Sequence, residues 1–281
     1  MPLIIETNDL VNLLQQTERK ATIAGQTGPQ VYGVKLTPSE DQGLSTTWIV
    51  KDGISSVSHF AVPLHDDNDS MEPIFIPDIT RVLGILKYHG GKMKITATDE
   101  KVVFKSNNKQ TTIQSTPRAL AFPNSRDSLL SWAEKSEMLA AKINNVPIDN
   151  PTYVTAEGEL YPPMLRIQVD AVDLFEAFRC AGINNQDPDV FVFNVDDNGN
   201  LKIRVGNDLK GATESSIAID SFVGNGGFEC AYNGGFNEIF KYVNGPVWVS
   251  FFDFRSKNQG IGLLMAWDRS YVLQASFEQG R

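Results

Sequence analysis

The stretch that decides the fold is Pro77-Asp78-Ile79-Thr80-Arg81-Val82-Leu83-Gly84-Ile85-Leu86-Lys87-Tyr88, closed by Gly90-Gly91 and followed at once by the segment Lys92–Thr98. Ile79, Val82, Leu83 and Leu86 recur at intervals of three and four and make one apolar stripe. That spacing predicts a helix over 77–88, with Pro77 suited to its first turn. The paired glycines stop it. Alternation then takes over, and Lys92–Thr98, Val102–Ser106 and Gln110–Ser115 read as three strands. The unit to look for elsewhere is a short amphipathic helix feeding a run of strands.

This form recurs without a repeat of letters. A helix from about Asn8 to Lys20, capped by Thr7 or Asn8, carries Leu10, Leu13 and Leu14; Val31–Leu36, Thr46–Val50 and Ser55–Val62 follow. A third, from about Asp170 to Ala181, carries Val172, Leu174, Phe175 and Phe178, with Gly182 as its stop. Val190–Val195 and Leu201–Val205 come next, joined across Asp196-Asp197-Asn198-Gly199, whose Asn-Gly step signals a hairpin. A fourth, from about Gly235 to Val243, carries Phe236, Ile239, Phe240 and Val243 and stops at Gly245-Pro246. Val247–Phe254, Gly262–Trp267 and Tyr271–Phe277 follow it.

Each helix must cover an apolar sheet face, so two such units make one domain. The expected class is α+β, with domains at 1–116 and 166–281. Between them, Pro117, Pro123, Pro147, Pro151, Pro162 and Pro163 punctuate residues 117–165. This reads as an interdomain connector carrying an inserted helix over Asp127–Asn144. A connector of that length usually has a purpose.

Charge bears on which partners such a protein can take. The 281 residues carry 25 Lys and Arg against 34 Asp and Glu, a formal net charge of −9, which opposes binding to a polyanion unless the cations are segregated. Each helix carries at least one cation away from its apolar side: Arg19 and Lys20 end the first, Arg81 and Lys87 lie off the stripe of the second with Lys92 just after, Arg179 is on the third and Lys241 on the fourth. Lys202, Arg204 and Lys210 are weaker candidates. The acids gather in loops, at Asp66-Asp67-Asn68-Asp69, Asp187 to Asp189, and Asp196-Asp197. Amphipathic helices ordinarily carry Lys and Arg on their wet faces, so the pattern by itself has a plain explanation. A locally basic face in an acidic protein is the functional alternative, and it would hold a nucleic-acid backbone without reading bases.

No constellation for catalysis is present. There are three histidines, His59, His65 and His89, and two cysteines, Cys180 and Cys230. His65 beside Asp66-Asp67 reads as a solvated acidic loop, and Asp196–Asn200 lacks the spacing and terminal Glu of a calcium loop. No P-loop, dinucleotide fingerprint or nucleophile elbow occurs. The expectation is a non-enzymatic protein with no catalytic residue, no metal and no cofactor. The first residues lack the basic region and apolar run of a signal peptide, and the apolar runs are too short to span a bilayer, so a soluble protein of a reducing cytoplasm is expected.

The order of elements, with residues 77–87, Lys92–Thr98, Lys101–Phe104, Leu174–Gly182, Val190–Val205 and Phe236–Phe277, resembles the DNA polymerase sliding clamps, and looks closest to the trimeric clamps of T-even-like bacteriophages, which carry a similar Leu-Gly-Ile-Leu segment. The likeness covers most of 75–115 and 165–277 and is weak over 1–70. It implies a two-domain sliding-clamp fold closed head to tail into a homotrimeric ring, helices lining the hole and antiparallel sheets outside. Double-stranded DNA would pass through without sequence recognition, and a DNA polymerase, a clamp loader and further copies of the chain would be the partners, in a host cytoplasm if the protein is viral. On this resemblance Arg19, Lys20, Arg81, Lys87, Lys92, Arg179 and Lys241 are candidate lining residues. The edge near Lys109–Ser115 would pair with one near Ala212–Asp220 of the next subunit. Phe122, Tyr271 and Leu273 are candidates for a pocket between the domains that takes a partner's hydrophobic peptide. The insert at 124–165 departs from the family pattern and puts that pocket in doubt. A β-rich viral structural or interaction protein without DNA binding is the alternative that the same composition fits.

Overall fold

The computed structural model describes residues 2–23, 34–40, 43–51, 55–65, 72–76, 78–98, 100–114, 153–154, 160–183, 190–196, 199–207, 211–233, 237–257 and 260–274. The chain divides into two compact units, one of Met1–Trp48 with His59–Ser128, the other of Ile49–Ser58 with Leu129–Arg281.

The first unit starts with β1 (Leu3–Glu6), which leads directly into α1 (Thr7–Ile23); β2 (Val34–Ser39), β3 (Gly43–Lys51) and β4 (Ser55–Val62) follow. The pattern then repeats with β5 (Ile74–Ile76), α2 (Ile79–Leu86), β6 (Lys92–Ala97), β7 (Lys101–Ser106) and β8 (Lys109–Gln114). The two halves exchange their leading strands. β1 pairs antiparallel with β6 of the second half, and β5 pairs antiparallel with β2 of the first. One sheet thus has the order β1-β6-β7-β8, and the other runs β4-β3-β2-β5.

Local chemistry explains these elements. Leu10, Leu13 and Leu14 of α1 are fully buried, each burial contributing about 1.5–3 kcal/mol. Thr17, also buried, satisfies its hydroxyl by donating to the Leu13 carbonyl at 2.7 Å. Asp78 caps α2, its Oδ1 accepting the Arg81 N–H at 2.9 Å, and Ile79, Val82 and Leu86 form the buried stripe. Pro77 lies outside the described residues. In the sheet, Met93, Ile95, Val102, Phe104 and Ile113 are buried, while Lys94, Thr96, Lys101, Lys105 and Thr112 on the opposite face are exposed.

The second unit repeats the plan. After a two-stranded pair, β9 (Tyr153–Val154) with β10 (Leu160–Tyr161), come β11 (Leu165–Asp170), α3 (Ala171–Ile183), β12 (Val190–Val195), β13 (Leu201–Asn207) and β14 (Gly211–Ile217). Then come β15 (Ser221–Gly224), β16 (Phe228–Asn233), α4 (Asn237–Phe240), β17 (Pro246–Asp253), a 3₁₀ turn at Arg255–Lys257, β18 (Ile261–Trp267) and β19 (Ser270–Gln274). β11, which leads α3, pairs with β17, and β16, which leads α4, pairs with β12. The sheets run β14-β13-β12-β16 and β15-β11-β17-β18-β19. An aromatic cluster fills the core: Phe178 meets Phe191 edge-on at 5.1 Å, and Phe193 meets Tyr232 edge-on at 5.4 Å.

One hydrogen bond marks the repeat. The first N–H of α1, Thr7, donates to the Gly91 carbonyl at 3.0 Å, and the first N–H of α3, Ala171, donates to the Gly245 carbonyl at 2.9 Å. In register, Glu6 faces Lys92 and Asp170 faces Pro246.

Several sequence expectations change. The fourth helix ends at Phe240 and not at Val243, because the Val243 N–H bonds back to the Phe240 carbonyl at 3.2 Å and closes a tight turn instead of a further helical one, while Gly235 and Phe236 lie outside the described residues. α3 runs to Ile183, so Gly182 lies inside its last turn and not after it. The hairpin expected after β12 is present, with β12 and β13 paired antiparallel. The Gly199 N–H donates to the Asp196 carbonyl at 3.1 Å, with Gly199 at φ +82, and β12 and β13 resume pairing at Val195 and Leu201. The inserted helix expected over Asp127–Asn144 lies outside the described residues.

Candidate functional site

The repeat brings two lysines to one structural address. Counting back four residues from Gly91 gives Lys87, and from Gly245 gives Lys241. Each follows the last residue of a helix, each is exposed, and each precedes a tyrosine, Tyr88 or Tyr242. The turns beneath them match, with the His89 N–H on the Leu86 carbonyl at 3.0 Å and the Val243 N–H on the Phe240 carbonyl at 3.2 Å. Lys241 Nζ lies 5.5 Å from the centre of the Tyr242 ring, while Tyr88 is 73% exposed. A lysine held at a helix end by a repeated turn is positioned by the backbone and keeps a flexible charge. That suits a loose contact with phosphate and not a specific one.

The other candidates are placed unevenly. Arg81 is exposed in the first turn of α2, and its guanidinium has no acidic partner among the described residues. Arg179 is exposed on α3 and is held by Glu176 of the same helix. Arg19 and Lys20 fall in α1, and their side chains lie outside the described residues. Lys92 is the first residue of β6, on the sheet face it shares with Lys94. On β13, Lys202 pairs with Glu214 at 3.1 Å and Arg204 with Glu229 at 3.4 Å, which neutralises both. Lys210 and Phe122 lie outside the described residues. Tyr271 and Leu273, both on β19, are buried.

Sequence reasoning missed a cavity of about 560 Å³ in the first unit, lined by Lys87, Tyr88, His89, Ser106, Asn107 and Lys109 among others. His89 spans it toward the sheet, with Nδ1 2.8 Å from Ser106 Oγ and Nε2 3.0 Å from Thr111 Oγ1, and Lys109 Nζ donates to the Tyr88 carbonyl at 2.6 Å. Burial and the Lys109 charge hold the imidazole below its ordinary pKa. In the sequence only the Asn107-Asn108 pair between two strands marks the turn there, and Asn107 adopts a φ of 45 in the structure.

Among the edge strands of each unit are β8 and β14, the last hairpin strands of the two four-stranded sheets. β8 and β14 have a single neighbour each among the described residues, β7 and β13, and most of their side chains are exposed or half-buried. Among the described residues no cluster of three or more His, Cys, Asp or Glu could hold a metal ion. No described helix is long and apolar enough to cross a membrane. The remaining perturbed groups are structural. Burial pushes the Cys230 thiol up to about 11, and Arg255 beside Asp253 holds that carboxyl below its usual range.

No family model matches the chain, and no curated protein matches it by sequence. Solved structures match it well in shape. The C. crescentus beta sliding clamp superposes with a TM-score of 0.63 at 15% identity, over 99% of this chain and 66% of that one. The DNA polymerase III beta chain of Streptococcus pneumoniae gives 0.61 at 16% identity, over 99% and 65%. A. fulgidus PCNA, solved with the C-terminal region of FEN-1, gives 0.60 at 14% identity and covers 100% of both chains. The chain thus spans just under two thirds of the bacterial clamps and the whole length of PCNA. Its fold is that of the sliding clamps, α+β with antiparallel sheets.

Proposed function

We propose that this chain is a DNA sliding clamp, a non-enzymatic processivity factor that closes into a ring around duplex DNA and tethers a polymerase to it. The observation that carries the reading is that each unit presents the last strand of a four-stranded sheet, β8 in one and β14 in the other, as an edge on a fold shared with clamps. A head-to-tail contact of β8 on β14 of the next copy would pair both edges at once, and such a heterologous contact forms a ring when its rotation closes. Three copies would do so with units bounded near 1–116 and 166–281. The full-length match to PCNA and the partial match to the bacterial clamps are both consistent with a two-unit chain.

Lining would fall to Lys87, Lys241, Arg81 and Arg179, with Arg19 and Lys20 completing the set, while Lys92, on the sheet face it shares with Lys94, would lie outside it. The repeated address of Lys87 and Lys241 supports this, since the same turn would present a cation at regular intervals around the hole. Such contacts neutralise phosphates without reading bases, so the ring slides. Polymerase and clamp loader would dock by a short hydrophobic peptide near β19. There the buried Tyr271 and Leu273 would shape the floor of a pocket, with Phe122 as a further contact. On the sequence resemblance to phage clamps, the corresponding place of action would be the cytoplasm of an infected host.

The deciding experiment combines sedimentation with DNA topology. The purified chain should sediment as a trimer at micromolar concentration, and with a loader it should stay on nicked circular duplex and slide off once that duplex is linearised. A monomer, or equal retention on both DNAs, would overturn the reading.

A further inference from the structure

The exposed faces of the two four-stranded sheets differ in charge. In the second unit the cations of β13 are matched: Lys202 by Glu214 and Arg204 by Glu229. In the first unit Lys94, Lys101 and Lys105 are exposed on one face, and none has an acidic partner among the described residues. Lys94 stands directly across from Lys105 in the β6–β7 register. Lys92 shares the face at the sheet's end, where Glu6 is opposite it, and Glu100 sits in the turn before Lys101. The remaining positions, Ile4, Thr96, Val103, Gln110, Thr112 and Gln114, are uncharged, and Ile4, across from Lys94 on the β1 side, is buried, so the open part of the face is that of β6, β7 and β8.

Like charges directly opposite on neighbouring strands destabilise a sheet. In a chain of net charge −9 with acids to spare, Lys94 facing Lys105 is a local cost without a structural return. Natural sequences accept such a cost where a surface has work to do.

We propose that this face docks an acidic, extended segment of a partner protein. Side chains on one face of a strand recur about every 6.8 Å, the spacing of alternate carboxylates along an extended peptide. The threonines and glutamines of the face can hydrogen-bond a peptide between the lysines. A nucleic acid fits it less well. The face has no aromatic ring for base stacking and no arginine for bidentate grip of phosphate. The proposal stands on the first unit alone and does not rest on ring formation.

The test uses the full chain and a fluorescein-labelled twelve-residue peptide of alternating Glu and Ala, read by anisotropy, with a twelve-nucleotide single strand and a duplex of the same length as competing probes. The peptide should bind more tightly than either nucleic acid and weaken as salt rises from 50 to 200 mM. Lys94→Glu with Lys105→Glu should reduce peptide affinity at least tenfold. Lys105→Glu alone should raise the melting temperature, because it turns a repulsive cross-strand pair into an attractive one, while lowering peptide affinity. Unchanged peptide affinity in the double variant, stronger binding of either nucleic acid, or a lowered melting temperature for Lys105→Glu would overturn the proposal.

Discussion

Glu176 grips Arg179 one helical turn away: the Arg179 Nε donates to the Glu176 carboxylate at 3.0 Å, and a second guanidinium nitrogen shares the same oxygen. Both side chains are largely exposed, so the pair contributes little to stability. Its consequence is functional. A phosphate reaching Arg179 must compete with a carboxylate already in place, whereas Arg81 faces no such competitor.

Arg81→Ala should therefore weaken duplex binding more than Arg179→Ala. It should also flatten the dependence of log K on log salt by about 0.9. Glu176→Gln should tighten duplex binding by about twofold to fivefold, the value of an exposed ion pair no longer standing in the way. Anisotropy titrations at two salt concentrations measure both. Weaker duplex binding by Glu176→Gln would remove Arg179 from the DNA contact.

Two glycines should respond to alanine with opposite signs. Gly84 lies inside α2 with nothing within 4 Å of where a Cβ would sit, so Gly84→Ala should stabilise by about 0.5–1 kcal/mol. Gly224 ends β15 at φ +120, where a Cβ would collide with the Met164 carbonyl oxygen and stand 2.9 Å from Leu165 Cα. Gly224→Ala should cost about 1–3 kcal/mol. Urea denaturation of the two variants reads the difference directly.

Much of this architecture was legible because periodicity reports what each element buries. Leu10, Leu13 and Leu14, or Ile79, Val82 and Leu86, are spaced for one helix face and are buried on it. The alternation of Met93 and Ile95 with Lys94 placed a sheet face correctly. The exchange of leading strands was not legible, since pairing β1 with β6 joins segments some ninety residues apart and no local pattern encodes the partner. The early end of α4 was hidden for a different reason. Ile239, Phe240 and Val243 keep helical spacing, yet one backbone bond from Val243 to Phe240 ends the helix. The equivalence of Lys87 and Lys241 was present in the letters, as Lys-Tyr four residues before a glycine. It gained meaning only once Thr7 and Ala171 were found bonded to Gly91 and Gly245.

His89 should make the first unit sensitive to mild acid. Its folded-state pKa is lowered, first by burial and then by Lys109. Between that lowered value and the ordinary 6.5, the unfolded chain binds more protons than the folded one, so stability rises with pH through this window. The contribution is fully present above 6.5 and is lost as pH falls to the folded value. His89→Gln, which keeps a hydrogen-bonding side chain near Ser106 and Thr111, should flatten the melting temperature between pH 5 and 7.5. A wild-type profile unchanged by the substitution would show that His89 does not govern it.

The edge strand β8 offers a way to separate assembly from folding. β7 and β8 are joined by the two-residue turn Asn107-Asn108, which makes Ser106 and Lys109 the hydrogen-bonded pair closing the hairpin. Antiparallel alternation then turns the N–H groups of Gln110, Thr112 and Gln114 outward, away from β7. Proline at Thr112 removes one outward donor and leaves the β7–β8 ladder intact, the position where an edge strand tolerates it. Ile113 is buried and its N–H points inward, so proline there breaks the ladder and the core together. Thr112→Pro should accordingly keep the circular dichroism of the wild type and sediment as a monomer, whereas Ile113→Pro should lose structure. A Thr112→Pro chain that folds and still sediments as the wild-type trimer would exclude β8 from the subunit contact.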